Sequence, residues 1–253
     1  MGFLMQAGKF KKRPNKRYIL GWLAIVMVMS IAGASIFAFA GHKQALPSKT
    51  RHDIKATLTA KIIQPLFQDT FADNMHKWQT GTYAGYSSAV GKNQMSLYDA
   101  NHKLLIESIQ HKTFSDYKVV THFALWQADK NDAVGLYLRG DVTLHQGYFI
   151  DIYGDNTYDV VKVAADATKN SSLIFPTFSG SIHSMGQLNT LEVDIKGPKA
   201  VLILNNMIIK SFTDSSYSNG TIGLFVQNGN TSNGVKATFY DITIYSAPEN
   251  LPG

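Results

Sequence analysis

Glu192 and Asp194, in the stretch Thr190-Leu191-Glu192-Val193-Asp194-Ile195-Lys196-Gly197, stand two residues apart in an alternation of apolar and polar side chains. Two carboxylic acids are what hydrolysis of a glycosidic bond requires, one as nucleophile and one as acid/base, about 5 to 5.5 Å apart in retaining enzymes. Alternate residues on a strand are roughly 6.6 to 7 Å apart at the backbone, so spacing alone admits the pair. The same alternation has a plainer meaning. With a period of two, Leu191, Val193 and Ile195 form one face for a core, while Glu192, Asp194 and Lys196 form a solvated face of alternating charge. The stretch reads as an amphipathic strand. Gly197-Pro198-Lys199 then turns the chain, "AVLILNN" supplies a partner strand, and Asn205-Asn206 is the tight turn into "MIIKSF".

A second group of residues suits binding. Aromatic rings lie well against the apolar face of a sugar ring, and planar polar groups meet its hydroxyls. Tyr137, Arg139, Tyr148, Asp151 and Tyr153 supply both types within two consecutive strand-like runs. Alternation puts Tyr137 and Arg139 on one face of the first run, and Asp151 and Tyr153 on one face of the second. If the runs are neighbours, the five line a ligand-binding surface; the bland alternative is sheet tyrosines with Arg139 paired to Asp151 or Asp141. Asp129, Asn131 and Asp132, and also Asp155 and Asn156, are oxygen ligands of the kind calcium takes, but without EF-hand spacing, and loops use Asp and Asn for turns in any case. Calcium is the one cofactor these loops admit, and no metal site is assigned.

No H-E-x-x-H, G-x-S-x-G, P-loop or G-x-G-x-x-G occurs in the chain, and no histidine stands four residues from another. There is no cysteine. Thiolate zinc sites and cysteine nucleophiles are therefore excluded.

The elements that must position these residues are strands. From Leu66 onward, short β-rich runs recur between Gly, Asn, Asp and Ser clusters: Tyr117 to Trp126, Ala133 to Arg139, Tyr148 to Tyr153, Tyr158 to Val163, Leu188 to Ile195, Ala200 to Leu204, Thr221 to Val226 and Val235 to Tyr245. That rhythm predicts an all-β antiparallel sandwich or barrel. No long segment there repeats apolar residues at helical spacing, which argues against α/β layers.

The N-terminal part differs. Tyr18 to Ala40 is 23 residues without a charge, long enough for a helix to cross a membrane. Lys9, Lys11, Lys12, Arg13, Lys16 and Arg17 precede it, so residues 1–17 are expected in the cytoplasm and the C-terminal domain outside. Ala38-Phe39-Ala40 also fits a signal-peptidase site, so a cleaved signal peptide stands as the alternative to a single-pass anchor. Residues 41–64 read as a polar stalk, 65–247 as the β domain and 248–253 as a tail. The net charge of +6 is concentrated at the start: residues 1–64 hold 11 Lys/Arg and one acid, leaving 13 against 17 acids for 65–253. A mildly acidic domain is a poor partner for nucleic acid, whereas the basic N-terminus suits anionic lipid.

Several stretches resemble a known superfamily. "AVGLYLRGD", "GYFIDIYGDNTYDVVKV", "LNTLEVDIKGPKAVLILNNMIIKSF", "GTIGLFVQN" and "VKATFYDITIY" follow the motif order of concanavalin A-like lectin/glucanase domains, nearest the laminin-G-like and 3-keto-disaccharide hydrolase-like type. The matches are G-x-x-x-R at Gly135 to Arg139, G-Y/F-x-x-x-I at Gly147 to Ile152, the hairpin from Leu191 to Asn206, and the closing pair at Gly220 to Leu224 and Phe239 to Ile244. "DTFADNMHKW", Asp69 to Trp78, resembles the opening D-x-F … W. The resemblance covers about residues 66 to 246 and implies a two-sheet jelly-roll sandwich. Within that superfamily, family 16 glycoside hydrolases carry their acids as E-x-D-x-E, and here Lys196 stands at the last position. The expectation is therefore a membrane-anchored, lectin-like module that binds a carbohydrate or related polymer without catalysis. The alternatives are a glycoside-processing hydrolase of the 3-keto-disaccharide type and a structural or sensory ectodomain that binds another protein.

Overall fold

The computed structural model describes residues 63–229 and 233–252. The expected span over Tyr18 to Ala40, the basic tail before it and nearly all of the stalk lie outside the described residues. Among the described residues no helix is long and apolar enough to cross a membrane. The helical element there is one 3-10 turn, Ala167–Lys169, capped by the Asp166 side chain.

Two antiparallel sheets make up the fold, as the alternation of the sequence predicts. With strands numbered in chain order, the six-stranded sheet runs β10 (Ser171–Phe178), β9 (Thr157–Val163), β8 (Gln146–Tyr153), β7 (Ala133–Asp141), β14 (Thr221–Gln227), β5 (Leu104–Ser108). The nine-stranded sheet runs β13 (Met207–Thr213), β12 (Lys199–Leu204), β11 (Leu188–Lys196), β6 (Tyr117–Gln127), β15 (Val235–Ser246), β4 (Met95–Asp99), β3 (Tyr86–Val90), β2 (Gly81–Tyr83). The short β1 (Phe67–Asp69) joins this sheet beside the end of β15, with Phe67 opposite Ile244.

The core lies between the sheets and follows from period two. Leu191, Val193 and Ile195 of β11 are buried there with Val119 of β6 and Leu202 and Leu204 of β12. Leu136, Ile150, Val160 and Leu224 belong to the same cluster from the six-stranded sheet. Each such side chain contributes about 1.5 to 3 kcal/mol when fully buried. Asn205 and Asn206 adopt φ of 49° and 66°, the left-handed pair that a two-residue turn needs between β12 and β13. At the start of the domain, the Trp78 indole N–H donates to Asp69 Oδ2 (2.7 Å) and the Phe71 amide donates to Asp69 Oδ1 (2.7 Å). The opening D-x-F … W stretch is thus one buried knot.

Several inward positions break the apolar rule, Thr121, Ser88 and an acid among them. Glu107 of β5 points into the sandwich at 4% exposure, near Ser88 and the Gln79 backbone. Burial lifts its carboxyl from 4.5 to about 7. A carboxyl raised in the folded state contributes most below its unfolded pKa, and that contribution is lost as pH rises from about 4.5 through about 7. Glu107→Gln is therefore expected to raise stability by up to about 3 kcal/mol at pH 8 and to leave it nearly unchanged at pH 4. Urea titrations of both proteins at the two pH values check this; equal gains at both would refute it.

Candidate functional site

The outward face of the six-stranded sheet holds a second apolar cluster of Ala133, Tyr137, Phe149 and Phe225, with Leu104, Ile106, Tyr153 and Val163 packed around it. Strand register sets its order. One row crosses the sheet as Ile106, Phe225, Gly135, Asp151 and Asp159. The next row carries Tyr137 beside Phe149 and Val161, and the row on the other side pairs Ala133 with Tyr153. Gly135 is the gap in the first row. A Cβ there would lie 3.1 Å from the Phe225 ring, which leans over the glycine and meets Phe149 edge-on at 5.2 Å between centroids. The Tyr137 ring lies between Gly140 and Gly147, where added Cβ atoms would come within 2.0 and 2.5 Å of it, and its hydroxyl donates to the Gln146 carbonyl.

Among these rings sits a pair of acids. Asp151 and Asp159 face each other directly across β8 and β9, at 3% and 5% exposure. The Tyr153 hydroxyl donates to Asp159 Oδ2 at 3.1 Å, whereas buried Asp151 Oδ1 accepts no hydrogen bond. Burial first, and then the facing Asp159 carboxyl, push Asp151 well above the usual carboxylate range. Two carboxyls in contact in a dry site do not both ionise readily, so the pair retains a proton where isolated aspartates have lost theirs.

Of the five residues expected to form a binding surface, the structure places Tyr137, Asp151 and Tyr153 on this outward face. Arg139 and Tyr148 are elsewhere. A bulge interrupts β7 and β8 between Leu138 and Asp141, and Arg139 takes φ 47° within it. Its side chain, 3% exposed, donates to the carbonyls of Ser115 (2.7 and 3.1 Å) and Tyr217 (2.8 Å) and meets Asp116 at 3.3 Å. The pairing to Asp151 or Asp141 weighed from sequence is replaced by this clamp on two loops. Tyr148 falls on the inward face with Ile150 and Ile152. Its hydroxyl donates to Asp214 Oδ1 (2.6 Å) and accepts from the Tyr217 amide (3.2 Å). Sequence reasoning missed Asp159, Phe149 and Phe225. Asp159 was within reach, since the short "GDN" turn sets the β8 and β9 register and places it opposite Asp151.

The other acids do structural work. Glu192 Oε1 pairs with Lys118 Nζ at 2.6 Å across β11 and β6. Asp194, beside it, is lifted to about 6 by burial and then by the Glu192 charge. Both lie on the outward face of the nine-stranded sheet, as an amphipathic strand requires, but Asp194 is buried there, so the face is not the solvated one that the alternation predicts. Asp132 accepts from the amides of Asp129 (2.7 Å) and Gly229 (2.6 Å), and Asp155 accepts from the Thr157 amide (3.1 Å), so both hold turns. Among the described residues no group of three His, Cys, Asp or Glu side chains is placed to hold a metal ion.

No protein-family model matches the chain, and no curated protein is similar to it. Solved structures are. The carbohydrate binding module CBM66 from Bacillus subtilis superposes with a TM-score of 0.53 at 18% identity, covering 68% of this chain and 98% of that one. A protein of unknown function with a galectin-like fold, also from Bacillus subtilis, gives 0.55 at 11% identity over 74% and 97%. A GH16 protein of the Bacteroides ovatus mixed linkage glucan PUL gives 0.51 at 14% identity over 71% and 99%. At these identities the likeness speaks for the fold alone, a two-sheet antiparallel sandwich of the jelly-roll kind that the order of motifs implied.

Proposed function

We propose that the outward face of the six-stranded sheet binds a carbohydrate and does not cleave it. The observation that carries this is the aromatic make-up of the face, with Tyr153 partly exposed over the buried Asp151 and Asp159 pair and Phe178 of β10 exposed at the edge of the same face, opposite Thr157. Exposed rings suit the apolar side of a sugar, and the Tyr153 hydroxyl, held by Asp159, adds a polar group beside them. The carbohydrate-binding module among the similar structures agrees with this reading. Hydrolysis is less well served. Glycosidases hold two reachable carboxyls about 5 Å or more apart so that the scissile bond or a water fits between them, whereas Asp151 and Asp159 are buried. The test is an array of oligosaccharides and polysaccharides probed with the full-length protein, with and without calcium. Tyr153→Ala and Phe178→Ala are each expected to weaken the selected ligand about tenfold, or ~1.4 kcal/mol, with little change in melting temperature. Unchanged affinity in both variants would remove this face from consideration.

The placement we propose is a single-pass membrane protein with residues 1–17 in the cytoplasm and the sandwich outside, supported by the uncharged run from Tyr18 to Ala40 and the cations before it. Because the chain has no cysteine, a single cysteine replacing Ser48 or Gln6 reports sidedness directly. An impermeant thiol reagent on intact cells should label the first and spare the second; the reverse pattern would refute the orientation.

Docking of another protein has an observation of its own. Trp126, Met185 and Leu188 are about half exposed at one end of the nine-stranded sheet, with Gly186 close to the Trp126 ring. A blank array in the first experiment would turn attention to this patch.

A further inference from the structure

We propose that the open edge of the sandwich, where the two sheets part between β10 and β13, binds a sugar that carries a carboxylate, with Lys210 as its counter-ion. The site is separate from the six-stranded face and does not rest on the reading proposed for that face. β10 and β13 are each the last strand of a sheet, with one hydrogen-bonded neighbour. Between them runs a groove of about 390 Å3, toward the lower end of the roughly 300 to 1,000 Å3 of small-molecule sites. Register sets its make-up. Lys210 and Phe212 stand opposite Leu202 and Ala200, on the inward side of β13, and Ile174 of β10 stands opposite Val160. Ile174 and Phe212 are buried in the groove, whereas Lys210 is exposed and the Phe175 side chain is 74% exposed along it. Among the described residues that line it, Lys210 is the one charge, and it takes neither an ion pair nor a side-chain hydrogen bond.

An ammonium group in a groove without an acid is complemented by an anion. The rest of the lining says which kind. The Phe175 ring offers a flat apolar surface to a pyranose, and the Ser211 and Thr213 hydroxyls beside Lys210 both donate and accept. That mixture matches a hydroxylated ring bearing one carboxylate, where an acyl chain would want apolar walls throughout. A peptide strand is poorly served by the same edges. Pro176 removes an N–H from the middle of β10, and an inward lysine on an edge strand such as β13 turns an added strand away.

The experiment measures binding of the full-length protein to oligogalacturonate, oligomannuronate and oligoglucuronate, and to the methyl ester of each, which keeps the sugar and removes the charge. At least one uronate is expected to bind, with its ester tenfold or more weaker and its affinity falling as salt is added. Lys210→Gln and Phe175→Ala should each weaken that uronate about tenfold, and Lys210→Arg should retain most of the affinity. Tyr153→Ala, on the six-stranded face, should leave it unchanged. Equal binding of acid and ester, full affinity in Lys210→Gln, or failure of all three uronates overturns the inference. Loss in Tyr153→Ala alone assigns the uronate to the six-stranded face, which overturns the edge site and leaves the carbohydrate reading standing. A lysine that serves only to keep other strands away would show itself as self-association of Lys210→Gln in size-exclusion chromatography with affinity unchanged, and that result also removes the site.

Discussion

Gly135→Ala is expected to destabilise the sandwich severely. The Cβ of any larger residue at this position would lie 1.8 Å from the Ile150 carbonyl oxygen, in the strand that pairs with β7, and 3.0 Å from its carbon. A flexible side chain can move away from such a contact; a backbone carbonyl within a ladder cannot do so without parting the strands. Phe225 blocks the alternative of leaning outward, with its ring 3.1 Å from the same point. Overpacking commonly costs 1 to 3 kcal/mol, and a clash with backbone should exceed about 4 kcal/mol. In a domain of this size that lowers the melting temperature by roughly 10 °C or more. Gly180→Ala is the control, because nothing lies within 4 Å of its Cβ position. A Gly135→Ala protein that melts within about 2 °C of the parent would show that β7 and β8 yield more easily than their packing implies.

Arg139→Met is the second large effect. Methionine keeps much of the length of the arginine stem but removes every donor, leaving the Ser115 and Tyr217 carbonyls without the bonds that hold their loops. Breaking a buried, hydrogen-bonded charge cluster from one side typically costs 3 to 5 kcal/mol. Asp116 is about half exposed and can turn to water, which places the expected loss near the lower figure, about 3 kcal/mol. Arg139→Lys should recover only part of it, since an ammonium cannot reach both carbonyls in the geometry of the guanidinium fork. Chemical denaturation measures the loss, and hydrogen exchange locates it: faster exchange is expected at Gly197, whose amide donates to Asp116, and at Tyr217. A uniform change across the sandwich would argue against a local clamp.

These two residues also show what sequence could and could not reveal. Gly135 and Arg139 bound the G-x-x-x-R motif, and both serve the fold. Alternation correctly put Leu191, Val193 and Ile195 into the core because β11 is regular over its whole length. The same logic misplaced Arg139, because the bulge after Leu138 and a left-handed φ reverse the facing of the residue. Neither has a local marker stronger than the following Gly140. Strand β10 was passed over for a related reason. Its Pro176 and two register shifts remove the alternation, and it needs none, being an edge strand with one neighbour. The short strands before Tyr117 carry too few residues for a period to register. The carboxyl pair was half legible: Asp151 was picked for its type, but its partner comes from another strand, and what makes the pair unusual is burial beneath rings that no single strand supplies.

The meeting of the first strand with the last has a topological meaning. Phe67 lies opposite Ile244, and the Leu66 amide donates to the Ile244 carbonyl, so the chain enters and leaves the sandwich about one strand spacing apart, roughly 5 Å. A chain whose ends coincide can be spliced into a loop of a host protein, or closed on itself and reopened at the Val142 to His145 hairpin tip, without moving a single strand. The sandwich is in this sense a cassette. Its position within a longer polypeptide is interchangeable, because the path through its fifteen strands returns to where it began.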